Sequence, residues 1–251
     1  MRKYYILLIL ISSGGCFSQI QNGSIQYKQT TSIEIINNQK DLTGGVKNFT
    51  EKHQATTDKL IYTLNFNTFE TYFFANKILL EDGVNFNLAA MSGRGKIKYY
   101  QNNQTKESRE YYDMKRTGEV IVNNETIFEW TLSNEVKIIE QYKCYKATSP
   151  LYYKDKKLDT IVTAWYTPEI PVRFGPIGYG GLPGLILELH NDSATFYVTK
   201  INLNPDSPPE IDKLLFPKAI SNAVFEQLIT GTLSRAQLDG IKDEEDKQIK
   251  K

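Results

Sequence analysis

Apolar and polar residues alternate with a period of two over most of this chain, in short runs. Such alternation places successive side chains on opposite faces of a strand. Ser24–Asn37 opens the series, with Ile25, Tyr27, Ile33 and Ile35 in alternating positions. Leu60–Phe66 and Thr68–Ala75 alternate about Asn67 and predict a tight hairpin. Ile97–Gln101, Ser108–Met114, Glu119–Val122 and Thr126–Trp130 predict short strands, separated by Asn-Asn, Arg-Thr-Gly and Asn-Asn turn signals. Glu135–Tyr145, Leu158–Tyr166, Leu185–His190 and Thr195–Asn202 continue the pattern. Asn38–Lys52 is polar and reads as a loop, and Lys77–Gly95 is less regular, punctuated by Asp82-Gly83 and Ser92-Gly93-Arg94-Gly95.

The alternation lapses between Trp165 and Gly184. Pro168, Pro171, Pro176 and Pro183 fix φ and lack an N–H donor, and each pushes its predecessor out of the α region. The stretch therefore reads as a strand end, a long ordered loop and a turn. Leu182-Pro183-Gly184-Leu185 has Pro at i+1 and Gly at i+2, which predicts a type II turn with Gly184 at φ > 0. Gly180 falls in what reads as the looser part of the loop. The turn launches Leu185–Leu189, the most apolar strand, with Leu185, Leu187 and Leu189 expected on one face.

Past Asn204-Pro-Asp-Ser-Pro-Pro, which reads as a linker, the period changes. Phe216–Thr230 carries Ile220, Ala223, Val224 and Leu228 at helical spacing, with Pro217 as a start and Gly231 as a stop. Ser234-Arg-Ala-Gln237 forms a capping box that opens a second short helix. Lys242–Lys251 is a charged, solvated tail. Short strands at near-regular spacing, with no helix between them, predict a mainly β fold: an open or half-closed antiparallel β-barrel with a short helical C-terminal segment. We expect one β-rich domain over residues 19–241.

Composition agrees. Hydrophobic content is 40% and aromatic content 12%, with 16 Tyr and 12 Phe, which favours strands. Net charge is +1, so there is no electrostatic case for nucleic acid. Met1–Ser18 reads as a signal peptide: Arg2 and Lys3, then apolar Tyr4–Ile11, then small residues. The run is far short of the roughly 20 residues that span a bilayer, so no transmembrane span is expected in the mature chain. Small residues at Cys16 and Ser18 predict cleavage between Ser18 and Gln19, with export to the periplasm or cell envelope. The rival reading is a lipoprotein anchored through Cys16, against which Ser13 is a poor fit. Cys144 is then the single remaining cysteine and cannot form an internal disulfide. It reads as a small buried hydrophobe, with a reactive thiol as the alternative.

No catalytic, metal or cofactor constellation emerges. His53 and His190 lack metal-ligand spacing, and two His with scattered acids make a weak zinc case. Ser193, His190 and Asp192 could compose a triad by type alone, but adjacency does not supply its geometry. There is neither a Gly-x-Ser-x-Gly elbow nor a phosphate-binding glycine loop. Trp165, Tyr166, Phe174 and Tyr179 either stack on a ligand or form the loop's own small core. Ile186, Glu188 and His190, if they share a face, either line a pocket or meet solvent.

Several motifs together resemble the GLPGLI family, exported proteins typical of Bacteroidota. They are Gly181-Leu182-Pro183-Gly184-Leu185-Ile186, Tyr142-Lys-Cys-Tyr-Lys-Ala-Thr148, Ala164-Trp-Tyr-Thr-Pro-Glu-Ile-Pro171 and Gly175-Pro176, with Trp130 before them. The resemblance covers roughly Trp130 to Leu189 and implies no activity and no catalytic residues. The expected layout is also similar to the LolA-like lipoprotein carriers, which bind acyl chains inside a half barrel. Three expectations follow. The first is a non-enzymatic envelope module binding an apolar or amphipathic ligand in the curled sheet. The second is an interaction protein docking on an outer-membrane partner through the Pro/Gly loop. The third and weakest is a hydrolase using His190.

Overall fold

The computed structural model describes residues 20–31, 57, 59–76, 97–114, 117–124, 128–153, 156–191, 194–215 and 217–240. The signal peptide with Cys16 and the Ser18/Gln19 site, the Ile33 and Ile35 end of the first expected strand, the polar Asn38–Lys52 loop, His53, the less regular Lys77–Gly95 segment, the Asp192-Ser193 pair and the charged tail lie outside them.

Twelve strands among the described residues form one sheet. They are β1 (Asn22–Thr31), β2 (Tyr62–Asn67), β3 (Glu70–Ala75), β4 (Lys98–Asn102), β5 (Ser108–Met114), β6 (Gly118–Asn123), β7 (Thr131–Ile139), β8 (Tyr142–Tyr153), β9 (Lys156–Thr167), β10 (Leu185–His190), β11 (Ala194–Leu203) and β12 (Ile220–Ser221). The order across the sheet is β12-β6-β5-β4-β3-β2-β1-β11-β10-β9-β8-β7. One meander runs outward from β1 to β6. A second starts at the far edge with β7 and runs inward until β11 pairs with β1. All pairings are antiparallel except β12 with β6.

This topology forces curvature. Ten inter-strand steps separate β6 from β7, roughly 48 Å if the sheet were flat. The seven residues 124–130 join them and reach at most about 29 Å fully extended. The sheet must curl until its edges approach, and it remains unclosed.

Register sorts the two faces. Ile25, Leu64, Phe73 and Tyr99 follow one another across β1–β4 on the inner face, and Phe196, Leu189 and Ala164 continue it. All are buried in one cluster. Tyr62 stacks on Phe73 at 5.6 Å and meets Phe196 edge-on at 5.2 Å. Tyr27 donates to the Ile186 carbonyl at 2.7 Å and Tyr62 to Gln29 Oε1 at 2.6 Å, so both buried hydroxyls are satisfied.

The chain after β11 guards the other edge. It crosses the outer face of β2–β6, where Asn65 Nδ2 donates to the Glu210 carbonyl and Leu214 buries against Tyr100 and Ile121. β12 then pairs with β6, and helix α1 (Asn222–Thr230) lays Leu228 against Val120 and Val122. Ser221 caps α1 by accepting from Val224 N at 3.3 Å, and Gly231 ends it in the left-handed region at φ 80°. The Ser234/Gln237 capping box forms with reciprocal bonds of 2.9 and 3.3 Å and opens the expected second short helix, at 235–240.

Three expectations need correction. The expected strand Thr126–Trp130 is not seen in its described part: residues 128–130 carry no strand pairing, and Phe128 and Trp130 pack on Tyr179 instead. Glu135–Tyr145 is two strands, divided by a reversal at Glu140-Gln141 with Glu140 at φ 52°. The helix starts at Asn222 rather than Phe216, since Ile220–Ser221 is held straight by pairing with Val122 and Asn123.

Candidate functional site

The Pro/Gly stretch is a plug, not an exposed loop. Val172 N donates to the Ile170 carbonyl across Pro171, an inverse γ-turn suited to the fixed proline φ. Phe174 and Gly180 then form an isolated bridge around a 3₁₀ turn, Pro176–Gly178. This small hairpin packs inside the curled sheet. Gln101 Nε2 on β4 donates to the Gly178 carbonyl at 2.6 Å, and Trp130 Nε1 donates to the Gly180 carbonyl at 2.8 Å. Phe128 stacks on Tyr179 at 4.6 Å. Phe174, Ile177, Tyr179 and Leu182 are buried. Phe174 and Tyr179 therefore belong to the core and present no stacking surface, and Tyr166 is buried likewise. The solvent side of the loop is Pro168, Glu169, Pro171, Arg173, Gly181 and Pro183, all exposed. Ile177 holds φ 47°, a conformation uncommon for a β-branched residue, and no sequence signal marked it.

The GLPGLI segment keeps its organising role by a different physics. Gly184 is not in the left-handed region, so Leu182–Leu185 is not the expected type II turn; Gly181 is the residue there, at φ 89°. Gly184 is instead pressed against backbone, since a Cβ on it would lie 2.1 Å from the Thr167 carbonyl oxygen. Gly180 is not loose either, with the Arg173 carbonyl 2.6 Å from where its Cβ would be. β10 continues from this contact, with Leu185 N donating to the Ile170 carbonyl and Ile186 N to the Phe174 carbonyl, both at 3.0 Å.

A bulge in β10 then divides the expected trio. Ile186 pairs with Tyr166 and Glu188 with Trp165, so Leu187 is one residue extra. Ile186 and Leu187 turn inward and are buried, whereas Glu188 and His190 face outward with Trp165. The same bulge separates Leu185, paired with Thr167, from the inner face of Leu187 and Leu189. Leu185 is still buried, beneath the turn that follows β9. Cys144 is buried at that end too, and burial pushes its thiol up to about 11. The small-hydrophobe reading of Cys144 holds.

Three candidates therefore converge on the outer face of β7–β11. Tyr197, Glu188, Trp165 and Lys146 follow one another across four strands. The next row is Thr195, His190, Thr163, Thr148 and Thr131. Lys137, which the sequence reading missed, reaches over from β7. Its ammonium lies 2.7 Å from Glu188 Oε1 and 4.4 Å from the Trp165 ring centroid. Lys146 bonds both Glu135 oxygens at 2.9 and 3.1 Å and holds that carboxyl below its ordinary pKa. His190 Nδ1 lies 2.8 Å from Thr195 Oγ1. His190 and Tyr197 are exposed and Trp165 is half-buried. The surface combines one aromatic plane, apolar Ile161 below it, hydroxyls and both signs of charge. Among the described residues no cluster of His, Cys, Asp and Glu could hold a metal.

A polar groove of about 710 Å³ lies elsewhere, lined by Gln101, Asn102, Asn103, Arg109, Asn123 and Asn124 among others. Its groups are largely spent on local structure. Asn102 Oδ1 accepts from Gln104 N and Thr105 N, and Arg109 bonds Glu107 and the Lys213 carbonyl. No helix among the described residues is long and apolar enough to cross a membrane.

Comparison with known proteins adds a family of unknown function and a fold. A family model described as a protein of unknown function (Porph_ging) matches residues 152–188, from late β8 through the plug into β10, and fits a Bacteroidota-type family. No curated protein matches the chain. Two solved structures of PNGF-II, in space groups P21 and C2, are similar at a TM-score of 0.51 and 15% identity. They cover 82% of this chain but only 33% and 32% of theirs, so the chain spans about a third of that protein's length. At that identity the likeness is one of fold alone.

Proposed function

We propose that this is an exported cell-envelope protein of the GLPGLI type. In this reading it is a non-enzymatic binding module that takes an amphipathic ligand on the outer face of β7–β11 rather than inside the sheet. One observation carries the reading. The part-exposed Trp165 ring lies in a continuous surface row with Tyr197, Glu188 and Lys146, flanked by Lys137, while Phe174 and Tyr179 are buried in the plug. The ligand's apolar part lies on Trp165 and Ile161, and its polar groups meet Glu188, His190 and Lys146. A half-exposed aromatic beside mixed charges suits a ligand with both characters. Export rests on the leader-like segment before Gln19, and family membership on the hexapeptide motif together with the match over 152–188.

Purification from the native host, followed by mass spectrometry of bound small molecules, tests this. Retention by the wild type and loss by Trp165→Ala, with folding intact, supports the outer face. Equal retention by Trp165→Ala removes it. Intact mass after envelope fractionation tests export: the chain should begin at Gln19, and a diacylglycerol on Cys16 would exclude that start.

A further inference from the structure

The two edges of the sheet are treated differently. The β6 edge is covered by the chain's own β12 and by α1. Among the described residues, no strand pairs with the outer edge of β7. β7 runs for nine residues, and Leu132, Val136 and Ile138 are exposed by 56%, 45% and 65%. Unpaired backbone beside exposed apolar side chains is a template for strand addition, which proteins usually blunt.

The geometry points to a second copy of this chain as the occupant, its β7 adding antiparallel to the first about a two-fold axis at Val136. The argument is one of register. Residues directly opposite in an antiparallel pair share a face. On β7 the residues Glu135 and Lys137 face outward with Lys146 and Trp165, while Leu132, Val136 and Ile138 face inward. A two-fold pairing can therefore be centred only on a residue, never between two. Centred on Glu135 it sets the two glutamates opposite each other, and centred on Lys137 it sets the two lysines opposite. Centred on Val136 it places Glu135 of each copy opposite Lys137 of the other. That register also places Val136 against its own copy and Ile138 opposite Asn134. The centre lies where β7 leaves its irregularity with β8 and runs in register through Ile139. A two-fold axis normal to the sheet also sets the two outer faces, with their Trp165 rings, side by side. This is the isologous arrangement usual in homodimers.

Sedimentation velocity of the full chain across a dilution series tests it, with circular dichroism as the folding control. We expect a reversible dimer for the wild type. Glu135→Lys sets lysine opposite lysine and Lys137→Glu sets glutamate opposite glutamate, so each variant alone should sediment as a monomer. Mixing the two restores both opposite-charge pairs and should restore a dimer containing one copy of each. A wild type monomeric at every concentration overturns the proposal, as does a dimer that survives either single change. A mixture of folded variants that stays monomeric overturns the register.

Discussion

Replacing Gly184 by Ala should destabilise the fold more than replacing Gly181 by Ala, although Gly181 alone has a positive φ. At Gly184 the new methyl would lie 2.1 Å from the Thr167 carbonyl oxygen, 2.5 Å from its carbon and 2.8 Å from Pro168 N. Ordinary contact begins at 3.4 Å, and all three neighbours are backbone, so no side chain can swing away. Two strands must part by roughly 1 Å in an interior packed too tightly to absorb it. Overpacking of this kind costs about 1–3 kcal/mol. The shift also strains the Leu185 N to Ile170 carbonyl bond of 3.0 Å, worth about 1 kcal/mol. The sum is about 2–4 kcal/mol. At Gly181 the space is open, with Trp130 Nε1 nearest at 4.0 Å, and the cost is conformational, about 1–2 kcal/mol. Gly180→Ala belongs with Gly184, because the Arg173 carbonyl stands 2.6 Å from its methyl. Urea midpoints at equal slope measure the differences, and about 2–4 °C of melting temperature accompanies each kcal/mol in a domain of this size. If Gly184→Ala unfolds at or above the Gly181→Ala midpoint, the close approach of β10 to the Thr167-Pro168 peptide is not what selects glycine there.

Other predictions follow from single contacts. Trp130→Phe keeps the packing on Tyr179 but removes the 2.8 Å bond to the Gly180 carbonyl, and should lower stability by about 1 kcal/mol in the same titration. Arg235 NH1 donates to the Thr117 and Glu119 carbonyls at 2.7 and 2.9 Å, so Arg235→Ala should speed amide exchange in α1 and leave β1–β3 unchanged. Cys144 is raised from an ordinary 9.0 to about 11, and burial also raises Tyr27 and Tyr62 above their ordinary 10.0. These groups keep their protons in the folded state while the unfolded chain loses them. Stability should therefore be fully present below pH 9 and fall as pH rises toward 11, and Cys144 should resist a thiol reagent at pH 8 until the protein unfolds. An alkaline plateau in the melting temperature would contradict this.

One-sided burial made many strands readable from pattern alone. Ser108–Met114 and Leu185–His190 came out to the residue. What failed had no local signature. Phe128 and Trp130 have strand-like composition, yet their rings answer to Tyr179, some fifty residues on. The reversal at Glu140-Gln141 uses neither Gly nor Asn and leaves Glu140 at φ 52°. The bulge at Leu187 is a property of the pairing with β9, so alternation alone grouped Ile186 with Glu188 and His190. The candidate surface was half visible for the same reason. Trp165, Glu188 and His190 sit on paired strands, whereas Lys137 joins them only because β7 returns to the far edge.

The density of Pro and Gly in the plug has a physical reason beyond loop-making. A buried loop must satisfy each backbone donor and acceptor without a ladder. Pro171, Pro176 and Pro183 remove three donors outright. The exposed-seeming acceptors are matched one by one: Gly178 O by Gln101, Gly180 O by Trp130, Gly181 O by Arg173, and Phe174 O by Ile186 N. Two of those donors come from β4, inside the first meander, and from the β6–β7 connection that leads into the second. The glycines let the partners approach, as the 2.9 Å gap to Tyr99 from a Cβ at Gly178 shows. The plug thus joins the two halves of an unclosed sheet through side chains where strand pairing is missing. That is why the segment organises the fold, with Phe174, Ile177, Tyr179 and Leu182 buried and Pro171, Arg173 and Pro183 left on its solvent side.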